Sequence, residues 1–92
     1  MALRFTWDRR KAVTNASKHG VSFEEAASCF GDPLSITIPD PYHSVSEERF
    51  VLLGVSSTRR LLAVSHTDQD GVIRLISARL ATRHERKCYE ET

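Results

Sequence analysis

The central strands of this 92-residue chain are apolar on both sides, and this limits the possible folds more than any other feature. From Phe50 to Val55, Phe50, Leu52 and Gly54 alternate with Val51, Leu53 and Val55. From Leu61 to His66, Leu61, Ala63 and Ser65 alternate with Leu62, Val64 and His66. Successive strand side chains point to opposite faces, so a sheet built on these segments must be covered twice. Two N-terminal helices are hardly enough for both sides. Either the last helix covers part of the second face or another chain does.

The remaining elements follow from caps and breakers. Leu3–Trp7 reads as a short edge strand. Asp8 is a good N-cap for a helix through about Lys18, and Gly20 stops that helix. Ser22 and Glu25 stand in the S-x-x-E relation of a capping box. Phe23, Ala26, Ala27 and Phe30 then follow at i, i+3, i+4 and i+7, the stripe of a buried helical face. Gly31-Asp32-Pro33 ends this second helix. Strands are expected at Leu34–Ile38, Arg49–Ser56, Leu61–Thr67 and Val72–Ala78, with a turn around Ser57–Arg59 and a strong turn signal at Asp68-Gln69-Asp70-Gly71. Thr82 and Glu85 form a second capping box, which opens a last helix over about Arg83–Glu91. With no repeat or linker, residues 1–92 read as one α+β domain. Two N-terminal helices pack on a mainly antiparallel sheet of three or four strands, followed by a C-terminal helix.

Composition excludes several classes. The chain is 40% apolar and 27% charged, which argues against disorder. No apolar run approaches the roughly 18 residues of a membrane span, and the N-terminus reaches charged residues at once, so a cytoplasmic location is expected. Cys29 and Cys88 are too few for a disulfide scaffold and read as free thiols. The four histidines and two cysteines fit no zinc-site spacing, and no phosphate-binding glycine loop is present, so neither metal nor cofactor is expected. Net charge is only +1, but it is unevenly spread. Residues 1–20 carry five bases against Asp8, for +4. Residues 21–57 carry six acids against Arg49, for −5. Residues 58–92 carry seven bases against five acids, for +2. Basic ends and an acidic middle suit separate faces for an anion and for a basic partner, or simply a mixed solvated surface.

Two clusters carry possible chemistry. Arg83, Arg86, Lys87 and Glu90 share one face of the last helix, and Arg79 lies just past a strand end, within reach of the same place. Guanidinium donors suit phosphate oxygens, although the same spacing fits a solvated helix face with Arg/Glu pairs. Lys18-His19-Gly20 presents a cation and a titratable imidazole at a helix end. They could serve proton transfer or simply favour the negative end of the helix dipole. Trp7 fits core packing better than base stacking. Cys29 and His66 fit packing better than catalysis. Glu47 or Glu48 could act as a base, though solvated loop charge fits them too.

Several segments together resemble BrnT-type toxins of type II toxin–antitoxin modules: Phe5-Thr6-Trp7-Asp8; Lys18-His19-Gly20-Val21-Ser22-Phe23-Glu24-Glu25-Ala26; Phe30-x-Asp32-Pro33; Glu48-Arg49; and Ile76-Ser77-Ala78-Arg79-x-Ala81-Thr82-x-x-Glu85-Arg86. Their order and spacing also agree with that family over nearly the whole chain. The resemblance implies a RelE-like fold and a metal-independent endoribonuclease that inhibits translation and is neutralised by a BrnA-type antitoxin. That antitoxin would cover the second sheet face, and DNA would be met only indirectly, through it. A hetero-oligomer such as two toxins with two antitoxins is implied, with no membrane role. By the same resemblance Arg79 and Arg86, with Arg83 beside them, would hold phosphate, and Lys18 and His19 would supply a proton-transfer group. The alternative is a non-catalytic protein- or RNA-binding module, or a degenerate toxin acting as co-repressor with its antitoxin.

Overall fold

A computed structural model describes residues 3–44 and 46–91. Met1, Ala2 and Thr92 at the ends of the 1–92 span, and Val45 in the polar loop, lie outside the described residues. Five strands form one mixed sheet: β1 (Arg4–Trp7), β2 (Ile36–Pro39), β3 (Phe50–Val55), β4 (Leu61–Gln69) and β5 (Val72–Leu80), in spatial order β1-β5-β4-β3-β2. Three helices accompany them: α1 (Arg9–His19), α2 (Phe23–Ser28) and α3 (Arg83–Glu90). After β1 the chain runs through α1 and α2 to the far edge of the sheet. It then returns strand by strand until β5 lies parallel to β1, with Arg4 beside Val72 and Trp7 beside Leu75. All other pairs are antiparallel. The sheet has five strands rather than the expected three or four, because both four-residue edge strands pair fully with their neighbours.

The local signals act as the sequence suggests. The Asp8 carboxylate accepts from Arg10 N at 2.8 Å and from Lys11 N at 3.2 Å, and Gly20 (φ 67°) closes α1. The hairpin between β4 and β5 turns on Asp70-Gly71, both at positive φ (54° and 81°), the two-residue turn whose twist matches that of the flanking strands. The box at α2 forms only by half. Ser22 Oγ accepts from Glu25 N at 3.0 Å, but the Glu25 carboxylate turns away to the β3–β4 turn. There it accepts from Arg60 Nε (2.9 Å), Ser56 Oγ (2.7 Å) and Thr58 Oγ1 (2.5 Å). Arg60 above all holds this carboxyl down at about 2. Gly54 has a packing role: a Cβ there would meet the Cys29 carbonyl oxygen at 2.8 Å, so only glycine lets the 3₁₀ turn Cys29–Gly31 close onto β3.

Both apolar faces are used. Val21, Phe23, Ala26 and Cys29 pack with Leu52, Leu62, Val64, Ile73, Leu75 and Ala78 to form the main core. Trp7 belongs to this core, edge-on to Phe23 with ring centroids 5.9 Å apart. On the opposite face Leu53, Leu61 and Ala63 are buried as well, and α3 packs against β3 on that side. Half-buried Glu85, Cys88 and Tyr89 form the inward stripe of α3, while Arg83, His84, Arg86 and Lys87 point outward. Tyr89 donates to Asp32 Oδ2 at 2.6 Å, and that oxygen also accepts from Val55 N at 2.9 Å. The last helix thus covers the β3 part of the second face.

Candidate nucleic-acid interface

The C-terminal end of β5 organises the basic residues of the protein. Because β1 ends opposite Leu75, the outer edge of β5 has no strand partner beyond that point. The side chain of Asn15, midway along α1, takes the partner's place. Its Oδ1 accepts from Ala78 N at 3.0 Å, and its Nδ2 donates to Ala78 O at 2.8 Å and to Val21 O at 2.9 Å. This 5%-exposed amide holds α1 over the open edge. Between the two runs a groove of about 350 Å³ lined by Arg10, Lys11, Thr14, Lys18, His19 and Ser77, with Asn15 and Ile76 behind them. No carboxylate lines it. Arg10, Thr14 and Lys18 recur every four residues along one side of the helix, so the Arg10 and Lys18 cations share that side with Lys11 beside them in the groove. Such a cluster attracts a polyanion and releases its counterions.

Arg79, the next residue along β5, sends its side chain the other way. It lies within the strand, in register with Ala63, and not past the strand end as expected, because β5 continues pairing with β4 to Leu80. Its Nη1 and Nη2 donate to the two Glu85 oxygens at 2.7 and 3.1 Å, while Glu85 Oε1 also accepts from Thr82 N at 2.9 Å in a complete capping box. The carboxylate raises the Arg79 pKa, and Arg79 lowers that of Glu85. A guanidinium has five donor hydrogens, so Nε and part of Nη2 stay open to a phosphate. Arg83 and Arg86 stand on the outer face of α3 and line a second concavity with Lys87 and Glu90, about 620 Å³ in volume.

The structure therefore brings the five candidate residues together in two groups. Lys18 and His19 lie with Arg10 and Lys11 on the α1 side, and Arg83 and Arg86 lie with Lys87 on the α3 side. Arg79 is tied to Glu85 at the root of α3. No hydrogen bond joins the two groups among the described residues, and neither Lys18, His19, Arg83 nor Arg86 has a side-chain partner there. Asn15 was not expected from the sequence. The available signal was a poor helix former placed mid-helix, where such a residue needs a reason. By sequence spacing Glu85 is only a cap, and its clamp on Arg79 depends on the fold. Of the loop acids, Glu47 pairs with Arg74, and Glu48 is unpaired among the described residues. Burial raises the Cys29 thiol to about 12, which removes it as a nucleophile. Among the described residues no three His, Cys, Asp or Glu side chains converge as metal ligands, and His84 Nε2 and Cys88 Sγ lie 3.7 Å apart on α3.

Fold and site define a small α+β protein with a five-stranded mixed sheet and cationic surfaces on both sides of one strand end. The family model of the ribonuclease toxin BrnT of type II toxin–antitoxin systems matches residues 7–85, and the chain belongs to that family. Membership carries with it a protein antitoxin as partner. The fold is similar to the crystal structure of the Brucella abortus ribonuclease toxin BrnT, with a TM-score of 0.68 at 21% identity over 89% of this chain and 100% of that one. No curated protein sequence matches the chain. No helix among the described residues is long and apolar enough to cross a membrane.

Proposed function

We propose that this chain is an endoribonuclease that cuts cellular RNA without a metal ion, stops translation, and is held inactive in a hetero-oligomer with a BrnA-type antitoxin, which would also carry any contact with DNA. The observation that carries this reading is the acid-free cluster of cations in the α1–β5 groove, which lies beside the Arg79 end of β5. In the reaction a base takes the proton from a ribose 2′-hydroxyl, and the oxygen attacks the adjacent phosphorus to form a 2′,3′-cyclic phosphate. The bond to the 5′-oxygen breaks as an acid protonates that oxygen. His19 and Lys18 are the proton-transfer groups of this reading. Arg79, Arg83 and Arg86 meet the negative charge that builds on the phosphate, a task guanidinium groups can perform without a metal.

The test is cleavage of a labelled RNA in EDTA by the purified, antitoxin-free protein beside Arg79→Ala and His19→Ala. The expected result is cleavage by the wild type and loss of it in both variants, with melting temperatures nearly unchanged for His19→Ala. The Arg79–Glu85 clamp favours a second reading, a binding module in which Arg79 serves only to fix α3. Under that reading the folded wild type binds RNA or antitoxin but leaves RNA intact, and Arg79→Ala loosens α3 without any catalytic phenotype.

A further inference from the structure

Helix α3 packs on β3 on the second sheet face, and a separate concave site with apolar walls lies on the other side of the sheet. At the end of the main core away from the basic groove lies a pocket of about 350 Å³ between β2, β3, β4, β5 and the 3₁₀ turn Cys29–Gly31, with Leu3 just ahead of β1 at its rim. Phe30 and Phe50 flank His66, with ring centroids 4.9 and 6.0 Å from the imidazole. His66 is 3% exposed. Its Nδ1 lies 3.0 Å from the Val64 carbonyl oxygen, which can only accept, so the hydrogen sits on Nδ1 and Nε2 presents a lone pair. Among the described residues that lone pair has no partner. Burial lowers the His66 pKa, which keeps the ring neutral. Glu48 and Asp68 also line the pocket, and neither carboxylate has a hydrogen-bond or ion-pair partner among the described residues. Thr37 completes the wall.

Apart from the Thr37 hydroxyl, every side-chain polar group left open here is an acceptor, and no cation lines the pocket. Carboxylates beside a stacking site repel a phosphate backbone, which sets this pocket apart from the α1–β5 groove. An arginine side chain meets each requirement. Its stem and planar head lie against the phenyl rings, and its five donors find Nε2 and the two carboxylates. We propose that this pocket receives an arginine of the antitoxin, a site that rests on the toxin–antitoxin reading. The acidic middle of the chain, which contributes Glu48, complements a basic partner in the same sense.

Two measurements test the site. In the first, N-acetyl-arginine amide at millimolar concentration is added to the antitoxin-free protein while the His66 ring resonances are followed by NMR. They shift in the wild type and stay fixed in Thr37→Phe, which fills the pocket from its exposed wall. In the second, the cognate antitoxin is titrated into the wild type and into Glu48→Lys/Asp68→Lys. Both substituted side chains are exposed, so the fold is retained. The double variant binds the antitoxin at least about tenfold more weakly, while its cleavage of free RNA is unchanged. Unmoved His66 resonances in the wild type overturn the pocket, and unchanged antitoxin affinity overturns its occupant. Altered RNA cleavage at unchanged antitoxin affinity also overturns the assignment, in favour of a base-binding subsite. If arginine enters but the wild type binds no antitoxin, the pocket stands and the toxin–antitoxin reading fails.

Discussion

Helices α1 and α3 hang from neighbouring residues of one strand, but by different physics. Asn15 fixes α1 to Ala78 with a neutral amide whose three hydrogen bonds are buried. Arg79 and Glu85 fix α3 with an ion pair in which the arginine side chain is 41% exposed and the carboxylate 21%. Tyr89 on Asp32 adds a second tie. A buried amide bonded to backbone is indifferent to salt and pH, and its loss strands three polar groups. A half-exposed ion pair is worth far less and responds to both. The α1 side is thus a rigid wall, and the α3 side carries cations on an adjustable support.

Asn15→Leu is the largest expected effect. The Ala78 N–H and C=O and the Val21 C=O lose their partner at about 1–3 kcal/mol for each group left unsatisfied. A total near 3 kcal/mol would lower the melting temperature by roughly 12–24 °C in a domain of this size. Thermal unfolding followed by circular dichroism checks this, and a drop no larger than that of an α3 variant would break the comparison. Glu85→Ala removes both the capping box and the partner of Arg79, for about 1–2 kcal/mol after allowance for solvent screening of the pair. Amide exchange should rise across Arg83–Glu90 and stay unchanged in α1.

The pH response of α3 is smaller and has two limits. Glu85 and Asp32 have lowered pKa values, the first chiefly from Arg79 and the second from the hydrogen bond of Tyr89 and from backbone amides that outweigh its desolvation. Their contribution is complete above the ordinary carboxylate range and fades as pH falls through it. Glu25 behaves likewise, losing its share between its usual 4.5 and about 2. Tyr89 moves the opposite way, raised from 10.0 to about 12 by Asp32, so its tie is intact below pH 10 and is lost on the way to 12. Tyr89→Phe should abolish that alkaline loss in a series of melting curves against pH. Lys18→Ala is the smallest change in stability, within about 0.5 kcal/mol as for most exposed positions. RNA affinity should nevertheless fall, with the slope of log affinity against log salt shallower by about one. An unchanged slope would place RNA away from the α1 groove.

Much of the fold was legible in the sequence because caps and turns act locally. Asp8, Gly20, Ser22, Asp70-Gly71 and Thr82 each set an element boundary through bonds to residues a few positions away. The two-faced strands announced two covers. The resemblance carried by the Lys-His-Gly and Ala-Arg segments pointed to the family that residues 7–85 match. The strand count was harder to read, since four-residue edge strands exist only through their partners. Glu25 shows the same limit. Its spacing from Ser22 fits a capping box, yet a turn thirty-odd residues away offers Arg60, Ser56 and Thr58 and outcompetes the cap.

By itself, then, the sequence determined the caps that open the helices, the Asp70-Gly71 turn, which strand faces are apolar, and which residues carry positive charge. Each of these depends on nearest neighbours and on periodicity. Only the tertiary structure decided that α3 covers the β3 part of the second face, that Asn15 closes the open edge of β5, that Glu85 holds Arg79, and that His66 meets Glu48 and Asp68 in one pocket. The paired groups lie as far as 63 residues apart along the chain. Sequence periodicity shows which face a side chain leaves from, and strand register and helix placement decide what it meets there.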